Sequence, residues 1–286
     1  MKPFVSRSDK PFYAGMILLG GFYVFMVVAM VLANCQYALW DPKVGETAPA
    51  GWPQWLLWYL ANNPVALALA EPYIQYAVML SLISCSITTI ISIWVAVPIG
   101  YLMSRHSFRG KMLLDAVLDI PIVLPPLVVG LCLLILFNFP PFAWIADYVV
   151  YEIPSVILAQ FMVACAFAVR TMRATFEQIS IRQEQVALTL GASRGEAFWN
   201  IVLPQARRGM LAAATLAWAR SLGEFGPILI FASTKRGVTE VLPSSVFLEL
   251  QAGRIHAAAA ISLIMVLLAV LVLIVTRLLG LGRAAF

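Results

Sequence analysis

The sequence has little charge. Only 12% of its 286 residues are Asp, Glu, Lys or Arg, while 62% are hydrophobic. A soluble domain usually has about 25% charged and about 45–50% apolar residues, so the composition excludes a soluble globular protein. Together with a mean hydropathy of +0.90, it predicts a protein embedded in a membrane.

Cysteine and histidine are scarce as well, at four and two residues. The cysteines are scattered without the spacing of a disulfide framework or a metal site, and His106 and His256 are isolated. A membrane-embedded enzyme would need clustered His, Cys or acidic residues, which the sequence lacks. We therefore expect no catalytic residue and no metal site in this chain.

Long apolar runs are abundant. Six are long enough, or nearly so, for a helix that crosses a bilayer core, which needs about 20 residues. We predict an all-α, polytopic membrane protein with six transmembrane helices, the fifth interrupted by Arg220 and Glu224. The predicted spans are Pro11–Leu32, Tyr73–Met103, Leu113–Phe137, Ile153–Val169, Met210–Phe231 and Ile255–Thr276.

The distribution of Lys and Arg predicts the orientation. With both termini in the cytoplasm, fourteen of the 19 basic residues lie in inner segments, four outside and one within a span. This satisfies the positive-inside rule and predicts a multi-pass membrane protein with this orientation. A nucleic-acid partner is not expected, since it would need basic residues gathered on one solvated face.

The front of the chain differs from the rest. Residues 1–72 hold an N-terminal tail, the first span and an outer loop rich in tryptophan, whereas residues 73–286 form a five-helix core. The loop tryptophans are Trp40, Trp52, Trp55 and Trp58. Because tryptophan prefers the membrane interface, we expect the loop to lie along the outer headgroups; the alternative is a docking surface for an external partner.

The core carries one patterned cytoplasmic segment, at about residues 175–205, between the fourth and fifth spans. Apolar residues at helical spacing predict an amphipathic helix that ends at Gly191 in a left-handed C-cap. Ser193 and Glu196 form a capping box that opens a short second helix. Phe198 and Ile201 fall on one face of that helix, which suits a helix that inserts into a groove of another protein. A purely structural elbow is the alternative; a DNA-reading helix pair is not expected beside a bilayer.

This segment resembles the cytoplasmic signature of the membrane subunits of ATP-binding-cassette importers. That signature is an acidic-Ala-Ala triplet, a Gly four positions after its last Ala, then nine residues and Ile-x-Leu-Pro. The matching residues are Gly191, Ile201, Leu203 and Pro204. The triplet reads Gln185-Val186-Ala187 here, so only its last alanine is kept. The resemblance extends from about Tyr76 to the C-terminus.

The resemblance implies a coupling helix, at about Ala192 to Leu203, that docks in a cleft of an ATPase subunit. The sequence has no GxxxxGK[ST] phosphate loop, so we expect no cofactor on this chain, with ATP and Mg bound by the partner. The other implied partners are a second permease subunit, identical or a sister chain, an external solute-binding protein and membrane lipid. The residues assigned to ATPase coupling are Gln185, Val186, Ala187, Gly191, Ala192, Ser193, Glu196, Phe198, Ile201, Leu203 and Pro204.

A second candidate site lies in the predicted fifth span, "ARSLGEFGPILIF". Arg220 and Glu224 are four apart, which predicts an ion pair on one helix face. Each charge costs roughly 2.5–3.5 kcal/mol at the centre of an isolated span, so we expect the pair to face the bundle interior. Gly223 and Gly226 allow close helix approach, and Pro227 predicts a kink. The pair either fixes packing or forms part of a pathway or gate.

The same stretch indicates a cargo. "RSLGEFG" and the proline-rich "DIPIVLPPLVVGLCLLILF" resemble segments of molybdate permeases, and sulfate and tungstate permeases share much of them. Pro227 stands where these relatives usually carry a small residue. The resemblance implies transport of a tetrahedral oxyanion, molybdate or tungstate first and sulfate next. Importers of phosphate, polyamine or iron remain alternatives.

Two further readings stay open. An ion-coupled secondary transporter or channel would need several buried titratable groups, whereas only Arg220 and Glu224 lie well inside a predicted span.

Asp115 and Asp119 begin the third span, where anionic side chains suit the helix dipole; a proton relay is the alternative for these two.

Overall fold

The computed structural model describes residues 10–39 and 52–281. Every element in these ranges is helical, which confirms the predicted all-α class. A 3₁₀ turn (Phe142–Ile145) and a π turn (Phe198–Val202) join the α-helices. The α-helices are α1 (Lys10–Leu39), α2 (Trp52–Asn62), α3 (Pro64–Ala70), α4 (Pro72–Arg105), α5 (Lys111–Val123), α6 (Pro126–Leu136), α7 (Ala146–Val149), α8 (Ile153–Gln178), α9 (Ile181–Thr189), α10 (Arg194–Ala197), α11 (Leu203–Leu222), α12 (Gly226–Phe231), α13 (Leu242–Gln251) and α14 (Ile255–Leu281).

Four of the described helices, α1, α4, α8 and α14, are long and apolar enough to cross a membrane. The predicted third span is a bent pair instead, because α5 and α6 meet at 111°. Leu124 and Pro125 are extended between the two helices, since a residue before proline disfavours the helical conformation. If this pair is one span, the described helices supply five spans rather than the six predicted.

The predicted fifth span is also broken. Helix α11 ends at Leu222 and α12 begins at Gly226, so Glu224 lies in the connection and does not share a helix with Arg220. Pro227 stands in the first turn of α12, where proline lacks no needed hydrogen bond. The proline therefore starts a short helix instead of kinking a long one, and neither α11 nor α12 qualifies as a span on its own.

Helices α4 and α8 form the most extensive contact among the described helices, and α11 packs across both. Their buried contact surface is rich in alanine, with Ala96, Ala168 and Ala213 fully buried. Gly100 of α4 lies so close to α8 that an added Cβ would be 2.9 Å from the backbone nitrogen of Arg173. Small side chains thus let the backbones of the central helices approach closely.

The interior of this bundle is partly polar, which the sequence reading did not anticipate. The buried face of α4 carries Ser81, Ser84, Thr88 and Ser92. Thr88 donates a hydrogen bond to the amide oxygen of Gln160 on α8, at 3.2 Å. Polar groups inside a membrane protein face the bundle interior rather than lipid. The spacing of these hydroxyls along one helix face was the sequence signal that could have predicted a polar interior.

The front of the chain packs on the other end of the sequence, since α1 and α3 both contact α14. Ser262 of α14 donates a hydrogen bond to the side chain of Asn34 on α1, at 2.9 Å. The most apolar stretch of α1 has no buried residues. Trp52 is largely exposed on α2, whereas Trp40 lies outside the described residues; the headgroup position of this loop and the division at residue 72 stay predictions.

Candidate functional site

Residues 181–202, which we call the hook, form the predicted helix–turn–helix between α8 and α11. Helix α9 ends at Thr189, and the φ of +92° at Gly191, just beyond it, confirms the predicted left-handed C-cap. The backbone N–H of Ala192 donates to the carbonyl of Ala187 at 3.0 Å, and that of Gly191 to Leu188 at 3.1 Å. This pair of hydrogen bonds is a Schellman motif, and it reverses the chain tightly.

The predicted capping box at the start of α10 is also present. The hydroxyl of Ser193 accepts a hydrogen bond from the Glu196 N–H at 3.2 Å, and the Glu196 carboxylate accepts one from the Ser193 N–H at 2.7 Å. The hydrogen bonds that the Ser193 N–H and hydroxyl donate to this carboxylate lower the pKa of Glu196. The chain then stays helical from Arg194 to Leu222 through the π turn, so the short helix and the following helix are continuous.

The side of the hook expected to insert into a partner faces the protein instead. The ring of Phe198 lies 4.7 Å from that of Tyr101 and packs in the same core cluster as Phe176, and Ile201 is half-buried. Part of the Phe198 ring is thus used in the protein's own core, and insertion of Phe198 and Ile201 into a partner stays a prediction. Both sides of the hook carry apolar residues, and the fold turns this side inward to complete its own core.

The most exposed apolar side chains of the hook are different ones. Val186 is 57% exposed, Leu190 82% and Trp199 66%. Val186 lies in the triplet Gln185-Val186-Ala187, of which only the alanine matches the importer signature, and Leu190 precedes the Gly191 turn. Contiguous exposed apolar patches mark interaction sites, so these side chains are candidates for a partner contact.

Glu184 is a residue of the hook that sequence reasoning missed. It stands in a polar run of α9, yet its side chain is buried. Its carboxylate contacts Arg105 at the end of α4, at 2.6 Å. Only the three-dimensional fold joins these two residues, which are 79 positions apart.

The second site is the break between α11 and α12. Arg220 and Glu224 form the predicted ion pair, with Nη1 and Oε2 2.7 Å apart. The Glu224 side chain is 1% exposed and that of Arg220 30%, and the guanidinium also lies 5.8 Å from the centre of the Phe167 ring. A charge that is partly exposed at membrane depth faces water or another protein rather than lipid.

Gly226 and Pro227 fix how this break packs. A Cβ on Gly226 would lie 2.7 Å from Cβ of Pro126, and a Cβ on Gly130 would lie 2.7 Å from Cα of Pro227. The predicted close approach at Gly226 is thus confirmed, and its partner is α6. Gly223 is exposed and meets only its own helix, at 3.8 Å or more.

The two aspartates of α5 bind arginines. Arg170 of α8 contacts both carboxylate oxygens of Asp119 at 2.6 Å, and Arg173 pairs with Asp115. We expected these aspartates to serve the helix dipole; instead their main contacts hold α5 against α8. A bidentate arginine pair of this kind adds orientation as well as energy.

A further charged cluster lies between α12 and α14. The buried carboxylate of Glu249 contacts Arg236 at 2.9 Å and Arg254 at 2.7 Å. His256 lies two residues after Arg254. Its ring stacks on the ring of Tyr37, with ring centres 5.5 Å apart. Across the described ranges, no three His, Cys, Asp or Glu side chains are grouped as metal ligands would be.

Comparison with known proteins gives consistent results. The family described as "Binding-protein-dependent transport system inner membrane component" matches residues 96–282. The molybdenum transport system permease protein ModB of Escherichia coli (strain K12) is 34% identical over 218 residues, which cover 74% of this chain and 95% of ModB. The sulfate transport system permease protein CysT of the same organism is 31% identical over 235 residues, 80% of this chain and 81% of CysT.

A further relative and a solved structure also resemble this chain. The molybdate/tungstate transport system permease protein WtpB of Pyrococcus abyssi is 37% identical over 162 residues, 57% of this chain and 62% of WtpB. A crystal structure of a bacterial ABC transporter involved in the import of alginate is similar with a TM-score of 0.73 over 96% of both chains. Its sequence identity is 14%, so it supports the fold alone.

Proposed function

Because the chain belongs to the family of binding-protein-dependent transport system inner membrane components, we propose that it is the permease subunit of an ATP-driven importer whose cargo is a tetrahedral oxyanion. Molybdate or tungstate is the first choice and sulfate the next. The observation that carries this proposal is the match to a molybdenum permease over 95% of that protein's length.

The hook is the proposed contact with the ATPase subunit. Val186, Leu190 and Trp199 are exposed apolar side chains on a cytoplasmic turn that Gly191 and the capping box hold rigid. Since the chain has no phosphate loop of its own, the energy of ATP enters from the partner. ATP binding favours one arrangement of the helices and hydrolysis the other, and the hook carries the rigid-body motion between the two proteins.

A second permease subunit completes the pathway in this proposal. The sequence has no internal repeat that would supply a second half to one bundle, and Arg220 presents a partly exposed charge beside the break between α11 and α12. We place this surface against the pathway, where the guanidinium favours an anion. The buried Glu224 keeps the arginine side chain in place when the pathway is empty.

The test is reconstitution of the chain with its ATPase, permease partner and binding protein in proteoliposomes. We expect uptake of molybdate or tungstate that requires both ATP and the binding protein, with sulfate as the weaker competitor. Uptake of phosphate, a polyamine or iron in place of these anions would contradict the cargo but keep the importer. Uptake that an ion gradient drives without ATP would contradict both.

A further inference from the structure

Arg105, the last residue of α4, is placed to connect three helices. Its side chain is only 6% exposed. The guanidinium donates from Nε to Glu184 at 2.6 Å, from Nη1 to the carbonyl of Phe176 at 2.9 Å and from Nη2 to the carbonyl of Ile179 at 3.0 Å. The two carbonyls lie at the C-terminal end of α8, and Glu184 lies on α9.

Glu184 is held from a second side. Its other carboxylate oxygen accepts a hydrogen bond from the hydroxyl of Tyr101, at 3.0 Å. The ring of Tyr101 meets the rings of Phe176, at 5.7 Å, and Phe198, at 4.7 Å. One compact group therefore contacts α4, the end of α8 and both halves of the hook.

These contacts depend on the planar, multiple-donor chemistry of arginine. The last carbonyls of a helix lack partners within it, and a cation there also suits the helix dipole. The planar fork of a guanidinium can satisfy two carbonyls and a carboxylate together, which the point charge of a lysine cannot. Breaking a buried ion pair leaves its partner charge uncompensated, so the group resists separation.

We propose that Arg105, Glu184 and Tyr101 form a clamp that positions the hook and transmits its motion into α4 and α8. The inference rests on the proposed role of the hook as the ATPase contact. Helices α4 and α8 are the central pair of the bundle and share the buried Thr88–Gln160 hydrogen bond. Motion of the hook reaches the bundle interior through the clamp, and the exposed side of the hook stays free for the partner.

The experiment measures two quantities on the reconstituted transporter, oxyanion uptake per ATP hydrolysed and the amount of ATPase that co-purifies. For Arg105→Gln we expect ATPase to co-purify and hydrolyse ATP, while uptake of molybdate per ATP falls at least about fivefold, the lower end of usual coupling effects. Arg105→Lys keeps the charge without the fork, and we expect an intermediate loss. Tyr101→Phe keeps the ring and removes one hydrogen bond, and we expect the smallest loss.

The matched control is Arg109→Gln. Arg109 is an exposed arginine of the same inner loop, and the described residues offer it no ion pair. We expect its uptake per ATP to equal that of the unmodified protein. An equal loss in Arg109→Gln and Arg105→Gln would show a general effect of charge and would overturn the clamp.

A double variant separates positioning from folding. Arg105→Gln with Glu184→Gln leaves no unpaired buried charge, so its yield should return to that of the unmodified protein. We expect uptake per ATP to stay low, because the amide at position 105 cannot reach both α8 and α9. Recovery of uptake together with yield would reduce the three residues to a folding role and overturn the proposal.

The failure of the clamp can be told from the failure of the proposed function. If the unmodified complex takes up none of the tested oxyanions but still binds the ATPase, the cargo is wrong, and stimulation of ATP hydrolysis by the loaded binding protein replaces uptake as the readout. Stimulation unchanged in Arg105→Gln and in the double variant would then reject the clamp. If the unmodified chain binds no ATPase, the hook's role fails and the clamp with it.

Discussion

Gly226 and Pro126 bring two broken segments into direct contact. A Cβ on Gly226 would lie only 2.7 Å from Cβ of Pro126 and 3.1 Å from the backbone nitrogen of Leu127. Helices α6 and α12 each follow a break in the chain, at Leu124-Pro125 before α6 and at residues 223–225 before α12, and each is short. Their packing joins the two places where the chain departs from straight membrane helices, so this contact determines the geometry beside Arg220 and Glu224.

Replacing this glycine should disturb that contact. Gly226→Val places three carbon atoms where the backbone of α6 already lies, and overpacking of this kind typically costs about 1–3 kcal/mol. We expect a lower midpoint of thermal unfolding in detergent. Gly21→Val is the control, since a Cβ on Gly21 meets nothing within 4 Å; equal loss in both variants would contradict the close contact.

The turn of the hook gives a second prediction. Gly191→Ala forces a side chain into the left-handed region, which costs roughly 1–2 kcal/mol, and we expect ATP-driven uptake and co-purification of the ATPase to fall together. Gly110 has the same φ of +92° and equally open surroundings outside the hook. Gly110→Ala therefore carries the same strain, and a loss of ATPase binding in this variant too would argue against a specific role of the hook.

The ion pair of the break gives a third. Arg220→Ala leaves the buried Glu224 carboxylate without its cation, which should cost up to about 3 kcal/mol and lower the yield of folded protein. Adding Glu224→Ala should restore the yield but not the uptake, because the guanidinium that favours the anion is still missing. Uptake that returns in the double variant would show that the pair serves packing alone.

The exposed surface of the hook gives a fourth. Leu190→Ser removes an apolar contact from the proposed ATPase interface, and we expect co-purification of the ATPase to fall while thermal unfolding of the permease alone is unchanged. Leu250→Ser is the control, an exposed leucine on α13. Retention of the ATPase by Leu190→Ser would place the partner contact elsewhere.

The local rules of the backbone made much of the hook predictable. A glycine after an amphipathic run and the Ser193–Glu196 spacing each specify a cap from neighbouring residues, and both caps are present. The pairing of Arg220 with Glu224 followed from their spacing and from the cost of a lone charge in a membrane.

Features that depend on distant residues could not be read in this way. Phe198 faces inward because Tyr101 and Phe176 receive it, and Glu184 is buried because Arg105 reaches it. A hydropathy profile predicts neither the inward position of Phe198 nor the burial of Glu184. The break near Pro125 was hidden by an apolar run that continues through it, although the consecutive prolines at 125 and 126 were a local sign. At the break near Gly223 the charges of Arg220 and Glu224 interrupt the apolar run, and their spacing was read as a continuous helix.

The helical backbone is unbroken from Arg194 to Leu222, so Trp199 of the hook and Arg220 beside the break lie on one rod. At 1.5 Å per residue the rod is roughly 40 Å long, so a tilt of about 5° at one end displaces the other end by about 3 Å. A partner that never enters the bilayer can thus shift Arg220 by simple leverage, with the π turn beside Phe198 as the point where the rod can yield.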